Sequence, residues 1–260
     1  MGEGAASTEN NIHSSREIDN YIATSELLNG WVNSDWPSSY FVPPIHKQLL
    51  LGIEDYQKKG LMRVSPGEFR KKDIWVSGEP ENFYVRGTDV EPVVREFFRD
   101  LDSSIASRPE KASGNLKQIV HTAAWAYYVF ERIHPFFDGN GRTGRIILNR
   151  VLRGSGLDGI IFLDTWFNQE RENHLDAMNL VDKTGDLAPL ELYLLHSLST
   201  NINNLYLKGE IDSLITEKED VLLKSTTPKN IGNIWQPFSK IDLASADAAI
   251  PEPVVDRYLI

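Results

Sequence analysis

Apolar residues recur at three-to-four spacing over several stretches of this chain, and that period predicts a mainly helical fold. Between Leu116 and Ile133 they fall at Ile119, Ala123, Ala126, Phe130 and Ile133. Leu190, Leu194, Leu198, Ile202 and Leu205 predict a second long helix over 188–207. Weaker patterns predict helices at 91–104, 142–154 and 167–182. Ile45, Leu49, Ile53 and Tyr56 give another helix its face, with Pro44 suited to its first turn and Gly60 to its end. Ahead of it, the polar residues 1–11 predict disorder, Ile12–Tyr21 and Ser25–Trp31 a pair of short helices, and Asn33–Pro43 a connector. After 207, Glu210–Leu223 reads as helical. Beyond it Pro228, Gly232, Pro237, Pro251 and Pro253 describe an arm packed on the body or a partner-binding tail. The segments expected are therefore 1–43, 44–207 and 208–260.

The period changes once. Ile74-Trp75-Val76, a turn through Ser77-Gly78-Glu79-Pro80, and Phe83-Tyr84-Val85 read as a β-hairpin within 70–86.

Composition narrows the class. With 41% hydrophobic and 25% charged residues in 260, the chain is of ordinary globular type. A net charge of −10 makes it a poor non-specific binder of nucleic acid. There are no cysteines, so disulfides, a thiol nucleophile and zinc–thiolate sites are excluded. No run of 18 apolar residues suits a membrane span, and the N-terminus lacks the basic-then-apolar layout of a signal peptide. Gly2 is present, but position 6 lacks the Ser or Thr of a myristoylation signal. The expectation is a cytoplasmic protein with no membrane or nucleic-acid partner.

The candidate chemistry lies in Ile133-His134-Pro135-Phe136-Phe137-Asp138-Gly139-Asn140-Gly141-Arg142-Thr143-Gly144-Arg145. Pro135 disfavours helical geometry at the residue before it, so the helix should stop near His134. Asp138-Gly139-Asn140-Gly141 then reads as a turn opening the next helix. Its glycines permit positive φ and close approach of the backbone to a ligand. Free N–H groups and the helix dipole draw anions there. Arg142 and Arg145 share one helix face and suit phosphate oxygens. Asp138 is a negative group in a phosphate site, a conflict that Mg²⁺ resolves by binding one carboxylate together with phosphates and waters. His134 can be neutral near pH 7 and take a proton from an attacking hydroxyl.

This segment resembles the signature of the Fic family, His-Pro-Phe-x-(Asp/Glu)-Gly-Asn-Gly-Arg-x-x-Arg, at every defined position. Ile45-His46, Gly60, and Arg70 followed by Ile74-Trp75-Val76 resemble the family's first helix and flap. Asn149, Arg171 with His174, and Gly185-Asp186 resemble its later elements, though a Tyr is frequent where His174 stands. The resemblance spans roughly 45–205. It implies a Fic-type helical bundle with a short β-hairpin flap. It also implies transfer of AMP from ATP to a Ser, Thr or Tyr hydroxyl of a target protein, releasing pyrophosphate. By resemblance, His134 is the base and Asp138 holds Mg²⁺. Gly139, Asn140 and Gly141 form the anion hole, while Arg142 and Arg145 hold the β- and γ-phosphates. Ile74, Trp75 and Val76 would dock a target segment by strand addition.

Family members often carry an inhibitory helix, (Ser/Thr)-x-x-x-Glu-(Gly/Asn), whose Glu pairs with the second motif arginine. Ser15-Arg16-Glu17-Ile18-Asp19-Asn20 is similar to it, with Asp19 in place of Glu. The shorter Asp predicts a weak brake on Arg145. The plainer reading of the same stretch is a helix start with Ser14 and Glu17 as a capping box. Two other functions stay open from sequence: transfer or removal of another phosphate-linked group, such as UMP or phosphocholine, and a non-catalytic module that binds ATP or docks a partner. A homo-oligomer also stays open.

Overall fold

The structure is a computed structural model that describes residues 3–32, 34–35, 38–53, 65–74, 84–106, 116–154, 157, 170–201 and 205–225. Among these residues the regular structure is helical and no strand is present. We number the helices α1 (Glu3–Val32), α2 (Val42–Leu49), α3 (Val90–Ala106), α4 (Leu116–Ile133), α5 (Asn140–Arg153), α6 (Arg171–Thr184), α7 (Ala188–Asn201) and α8 (Leu205–Ser225). A short 3₁₀ turn, Ser38–Tyr40, precedes α2. None of the described helices is long and apolar enough to cross a membrane.

α1 departs from the sequence reading. It is one helix where two were expected, and it begins at Glu3, inside the stretch expected to be disordered. Polar residues at the expected junction are accommodated within it. Thr24 Oγ1 donates to the Asn20 carbonyl at 2.6 Å and Ser25 Oγ to that of Tyr21 at 2.9 Å. Such bonds to the preceding turn satisfy a hydroxyl without ending a helix. α2 is shorter than its apolar pattern. Pro43 and Pro44 fill its first turn, and it ends at Leu49. Ile53 is still buried, in the turn that follows. The expected stop at Gly60 lies outside the described residues.

The chain divides into two compact units. The first takes in residues 1–107 and 129–150, hence α1 to α3, the last turn of α4 and most of α5. Its core is built by Trp31, Val42, Ile45, Leu49, Phe97, Phe98, Phe130, Phe136, Ile146 and Ile147, all buried. Trp31 stacks on Phe41 with ring centroids 5.9 Å apart. Arg150 lies 5.2 Å over the Trp31 ring and donates to Asp102 at 3.2 Å. The same Asp102 carboxylate accepts from the Ser38 N–H and hydroxyl. α1 therefore belongs to the core through Tyr21, Leu28 and Trp31, all of them buried.

The second unit takes in 108–128 and 151–258. Glu191 on α7 joins His121 on α4 (2.6 Å) and Lys218 on α8. Tyr128 donates to Asp182 on α6. Gly185 ends α6 in the left-handed conformation, at φ 68°, which glycine adopts without steric cost. The tail 226–260 lies outside the described residues.

Candidate active site

His134 closes α4. Its N–H still donates to the Phe130 carbonyl at 2.9 Å, but its φ is +48°. Left-handed geometry costs a side-chain-bearing residue roughly 1–2 kcal/mol, and the ring of Pro135 disfavours the helical alternative. Arg70 offsets that cost. Its guanidinium is buried and donates to four carbonyls: His134 (2.7 Å, from Nε), Ile133 (3.1 Å), Lys72 (2.8 Å) and Val85. Its own N–H donates to the Pro135 carbonyl at 2.9 Å. A helix C-terminus leaves carbonyls without intrahelical donors and favours a nearby cation. Arg70 supplies both needs.

His134 Nδ1 lies 3.2 Å from the Glu131 carbonyl. A carbonyl only accepts, so Nδ1 carries the proton and the Nε2 lone pair is left for a substrate. Burial lowers the imidazole pKa to about 4. The Glu131 carbonyl and, more weakly, Asp138 oppose the shift, while Arg70 and Arg132 add to it. The side chain is thus neutral at pH 7, the form a general base requires. The ring of Tyr84 stands 4.9 Å from it.

The loop after Pro135 is set by side chains that bond the backbone. Asn140 Oδ1 accepts from the Phe136 N–H (2.9 Å), and its Nδ2 donates to the Phe136 carbonyl (2.8 Å). Its side chain is buried, so Asn140 acts here as a loop clamp. Gly139 has φ 78°. Its carbonyl accepts from both the N–H (3.0 Å) and the hydroxyl (2.9 Å) of Thr143. Helix geometry then leaves the N–H groups of Gly141 and Arg142 without i−4 partners, the arrangement that attracts anions. A Cβ at Gly141 would lie 3.3 Å from Arg145 Nη1, so the glycine gives that guanidinium room.

Asp138 is exposed and points one oxygen, Oδ1, back to the Gly139 N–H at 2.7 Å. Its Oδ2 is 3.8 Å from Arg142 Nη2. Among the described residues no group of three or more His, Cys, Asp or Glu side chains gathers to hold a metal. One exposed carboxylate beside an anion-attracting helix end still fits Mg²⁺, which takes most of its ligands from phosphates and water. Below the loop, Glu131 Oε1 is buried without a hydrogen bond. Burial pushes its carboxyl up to about 7 against the pull of Arg145 and Arg132.

The Fic/DOC family model matches residues 37–152, which include every residue placed so far in this site. The chain carries a Fic/DOC domain over these residues. It is similar to the protein adenylyltransferase Fic of Drosophila persimilis, 26% identical over 225 residues that cover 84% of this chain and 40% of that protein. The Aedes aegypti protein of the same name is 28% identical over 207 residues, covering 77% and 38%. The chain thus spans about two fifths of the length of these relatives. In fold it resembles a Fic family protein from Desulfovibrio desulfuricans, with a TM-score of 0.50 at 20% identity over 82% of this chain and 55% of the other. A Fic domain containing signaling protein from Bacteroides thetaiotaomicron gives 0.51 at 19% identity, over 81% and 73%.

Around the Fic motif, the residues named from sequence divide. His134, Asp138, Gly139, Gly141, Arg142 and Arg145 gather at the junction of α4 and α5. Ile74 is half-buried in a stretch without regular structure, while Trp75, Val76 and the hairpin turn lie outside the described residues. Ser15 and Asp19 are exposed. Asn20 is buried, with Nδ2 donating to the carbonyls of Leu49 (3.2 Å) and Leu51 (2.9 Å) at the end of α2. Among the described side chains of α1, Glu17 reaches the motif, with its Oε1 3.2 Å from Arg142 Nη1. The helix is already running at that point, so Glu17 closes no capping box. Arg70, Glu17 and Glu131 received no role in the sequence reading of the site. Arg70 had one signal, its place ahead of the Ile-Trp-Val run.

Proposed function

We propose that this Fic domain is a protein adenylyltransferase that moves AMP from ATP to a Ser, Thr or Tyr hydroxyl of a target protein. The observation that carries this reading is His134: neutral, with Nε2 unprotonated, at the mouth of a glycine loop whose helix bears Arg142 and Arg145. In the reaction the target oxygen bonds to the α-phosphorus, and its proton passes to His134 Nε2. The bond from the α-phosphorus to pyrophosphate breaks, and pyrophosphate leaves with the electron pair. Arg142, Arg145 and the first N–H groups of α5 would hold the β- and γ-phosphates. Asp138 would hold Mg²⁺, which when bound neutralises charge developing on the phosphates. The names of the relatives support the same activity.

We place a brake in the same reading. With Glu17 on Arg142, one motif guanidinium is engaged by a carboxylate before any phosphate arrives. Nucleotide binding would have to displace that carboxylate.

The test is transfer of label from α-labelled ATP, CTP, GTP and UTP with Mg²⁺ in cell lysate. Wild type and His134→Ala are compared. Label on protein from ATP that falls by ~10²-fold or more without His134 supports the reading, since general base catalysis is worth about that much. Preference for UTP would replace AMP by UMP as the group transferred. Binding of ATP without transfer would leave a docking module.

A further inference from the structure

His46, on α2, is absent from every role given so far, yet it is the side chain that touches the motif backbone at the metal-binding residue. It is 1% exposed. Its Nε2 is 2.8 Å from the Asp138 carbonyl, and its Nδ1 is 2.8 Å from the Gly67 backbone nitrogen. A backbone N–H can only donate, so Nδ1 is the acceptor. The neutral ring then carries its proton on Nε2 and donates it to Asp138. The ring lies on Phe136, with centroids 3.6 Å apart and planes 3° from parallel. A Cβ at Gly139 would stand 3.2 Å from Nε2. The imidazole is therefore fixed in plane by Phe136, fixed in tautomer by Gly67, and aimed at the peptide that joins Asp138 to Gly139.

That peptide matters more than its neighbours. Its carbonyl belongs to Asp138, whose carboxylate faces solvent, and its N–H belongs to Gly139, which holds Asp138 Oδ1. Rotation of the peptide would swing the carboxylate and unseat the left-handed turn that opens α5. We propose that His46 is a positioning residue for nucleotide binding: its Nε2–H bond to the Asp138 carbonyl sets the Asp138 carboxylate and the glycine turn for the Mg²⁺-bound phosphates of the substrate. This rests on the adenylyltransferase reading above.

Two substitutions divide the two bonds of the ring. In His46→Gln the amide nitrogen can stand where Nε2 was and keep the Asp138 bond, losing Gly67. In His46→Asn the amide oxygen can stand where Nδ1 was and keep the Gly67 bond, losing Asp138. Each variant gives up one hydrogen bond of the same kind, so a purely structural role predicts similar losses in both. The expected result on the full chain is that His46→Gln stays within about 3-fold of wild type in KM for ATP·Mg. His46→Asn should raise that KM and the Mg²⁺ concentration for half-maximal rate by ~10- to 100-fold, as loss of a partner to a metal ligand does. The kcat at saturation should change less than KM. Equal behaviour of the two variants overturns the proposal. Hydrogen exchange of the peptide covering 136–142 gives a readout free of activity. It should quicken in His46→Asn and not in His46→Gln, and no change in His46→Asn also overturns it. If wild type transfers no nucleotide but exchange separates the variants, the adenylyltransferase reading fails while the positioning of the loop stands.

Discussion

Arg70 Nε donates to the carbonyl of His134 at 2.7 Å, so the conformation of the base is held by a buried guanidinium 64 residues before it. The same side chain reaches the carbonyls of Lys72 and Val85, both within the stretch 70–86 that the sequence predicts as a flap. Arg70→Lys keeps the charge but replaces a planar fork by a single ammonium, which cannot span the same carbonyls. Hydrogen bonds to charged groups are worth about 1.5–3 kcal/mol each. The variant should lose about 3 kcal/mol, lowering the melting temperature by roughly 10 °C. At a temperature where it remains folded, labelling should fall by ~10²-fold from misplacement of His134. Thermal unfolding and transfer rate measured together check this. A variant with full labelling would show that His134 holds its geometry without Arg70.

The brake should answer to Glu17 and not to Asp19. Arg142 is mostly buried and Glu17 about half exposed, at 18% and 49% side-chain exposure. A pair of this kind contributes up to about 1 kcal/mol. Glu17→Ala should therefore raise labelling and ATP affinity by only about 2- to 5-fold. Asp19→Ala, on an exposed residue, should leave both where they are. Removing residues 1–22 is a poor version of the test, because Asn20 and Tyr21 are buried in the core and would go too. Titration calorimetry with ATP·Mg, at low and at high salt, checks it. The gain from Glu17→Ala should shrink as salt screens the pair. A larger effect at Asp19 would return the brake to the position expected from sequence.

The motif was legible because its parts are contiguous and its boundaries are steric. Pro135 stops α4, Gly139 opens α5, and the apolar periods on either side fix both helices. The supports of the motif were not legible, because their spacing along the chain carries no signal. Arg70 is 64 residues from His134, His46 is 92 from Asp138, and Glu17 is 125 from Arg142. Only folding brings them together. α1 runs unbroken where the sequence predicts two helices. Thr24 and Ser25, at the expected junction, are of types that favour caps and turns, but tertiary burial and bonds to the preceding turn keep them helical. At Asn140 the resemblance implies a part in the anion hole, and the structure adds that its side-chain amide clamps the backbone of Phe136.

That clamp gives its own prediction. Asn140→Ala leaves the Phe136 N–H and carbonyl buried without partners, at roughly 1–3 kcal/mol each. Asn140→Asp keeps an acceptor for the N–H but sets a carboxylate oxygen against the carbonyl. Both should lower the unfolding midpoint in urea, and ATP affinity should fall with it. Loss of affinity at unchanged stability would move Asn140 back into direct contact with the nucleotide.

Glu131 gives the site a pH dependence of definite sign. Its carboxyl is raised from 4.5 to about 7 in the folded protein, chiefly by burial. A raised folded pKa means that the native state binds more protons than the unfolded chain between those values. Its contribution is therefore fully present below the unfolded pKa and is lost as pH rises through about 7. The whole span is worth at most about 3 kcal/mol. Glu131→Gln cannot ionise, so the difference in stability between wild type and variant isolates this group. Histidines whose pKa is lowered, such as His134 and His196, act in the opposite sense in both proteins and cancel. Urea unfolding at pH 5 and pH 8 should show the variant gaining on wild type at the higher pH by up to about that amount. A difference independent of pH would mean that Arg145 and Arg132 hold Glu131 ionised throughout.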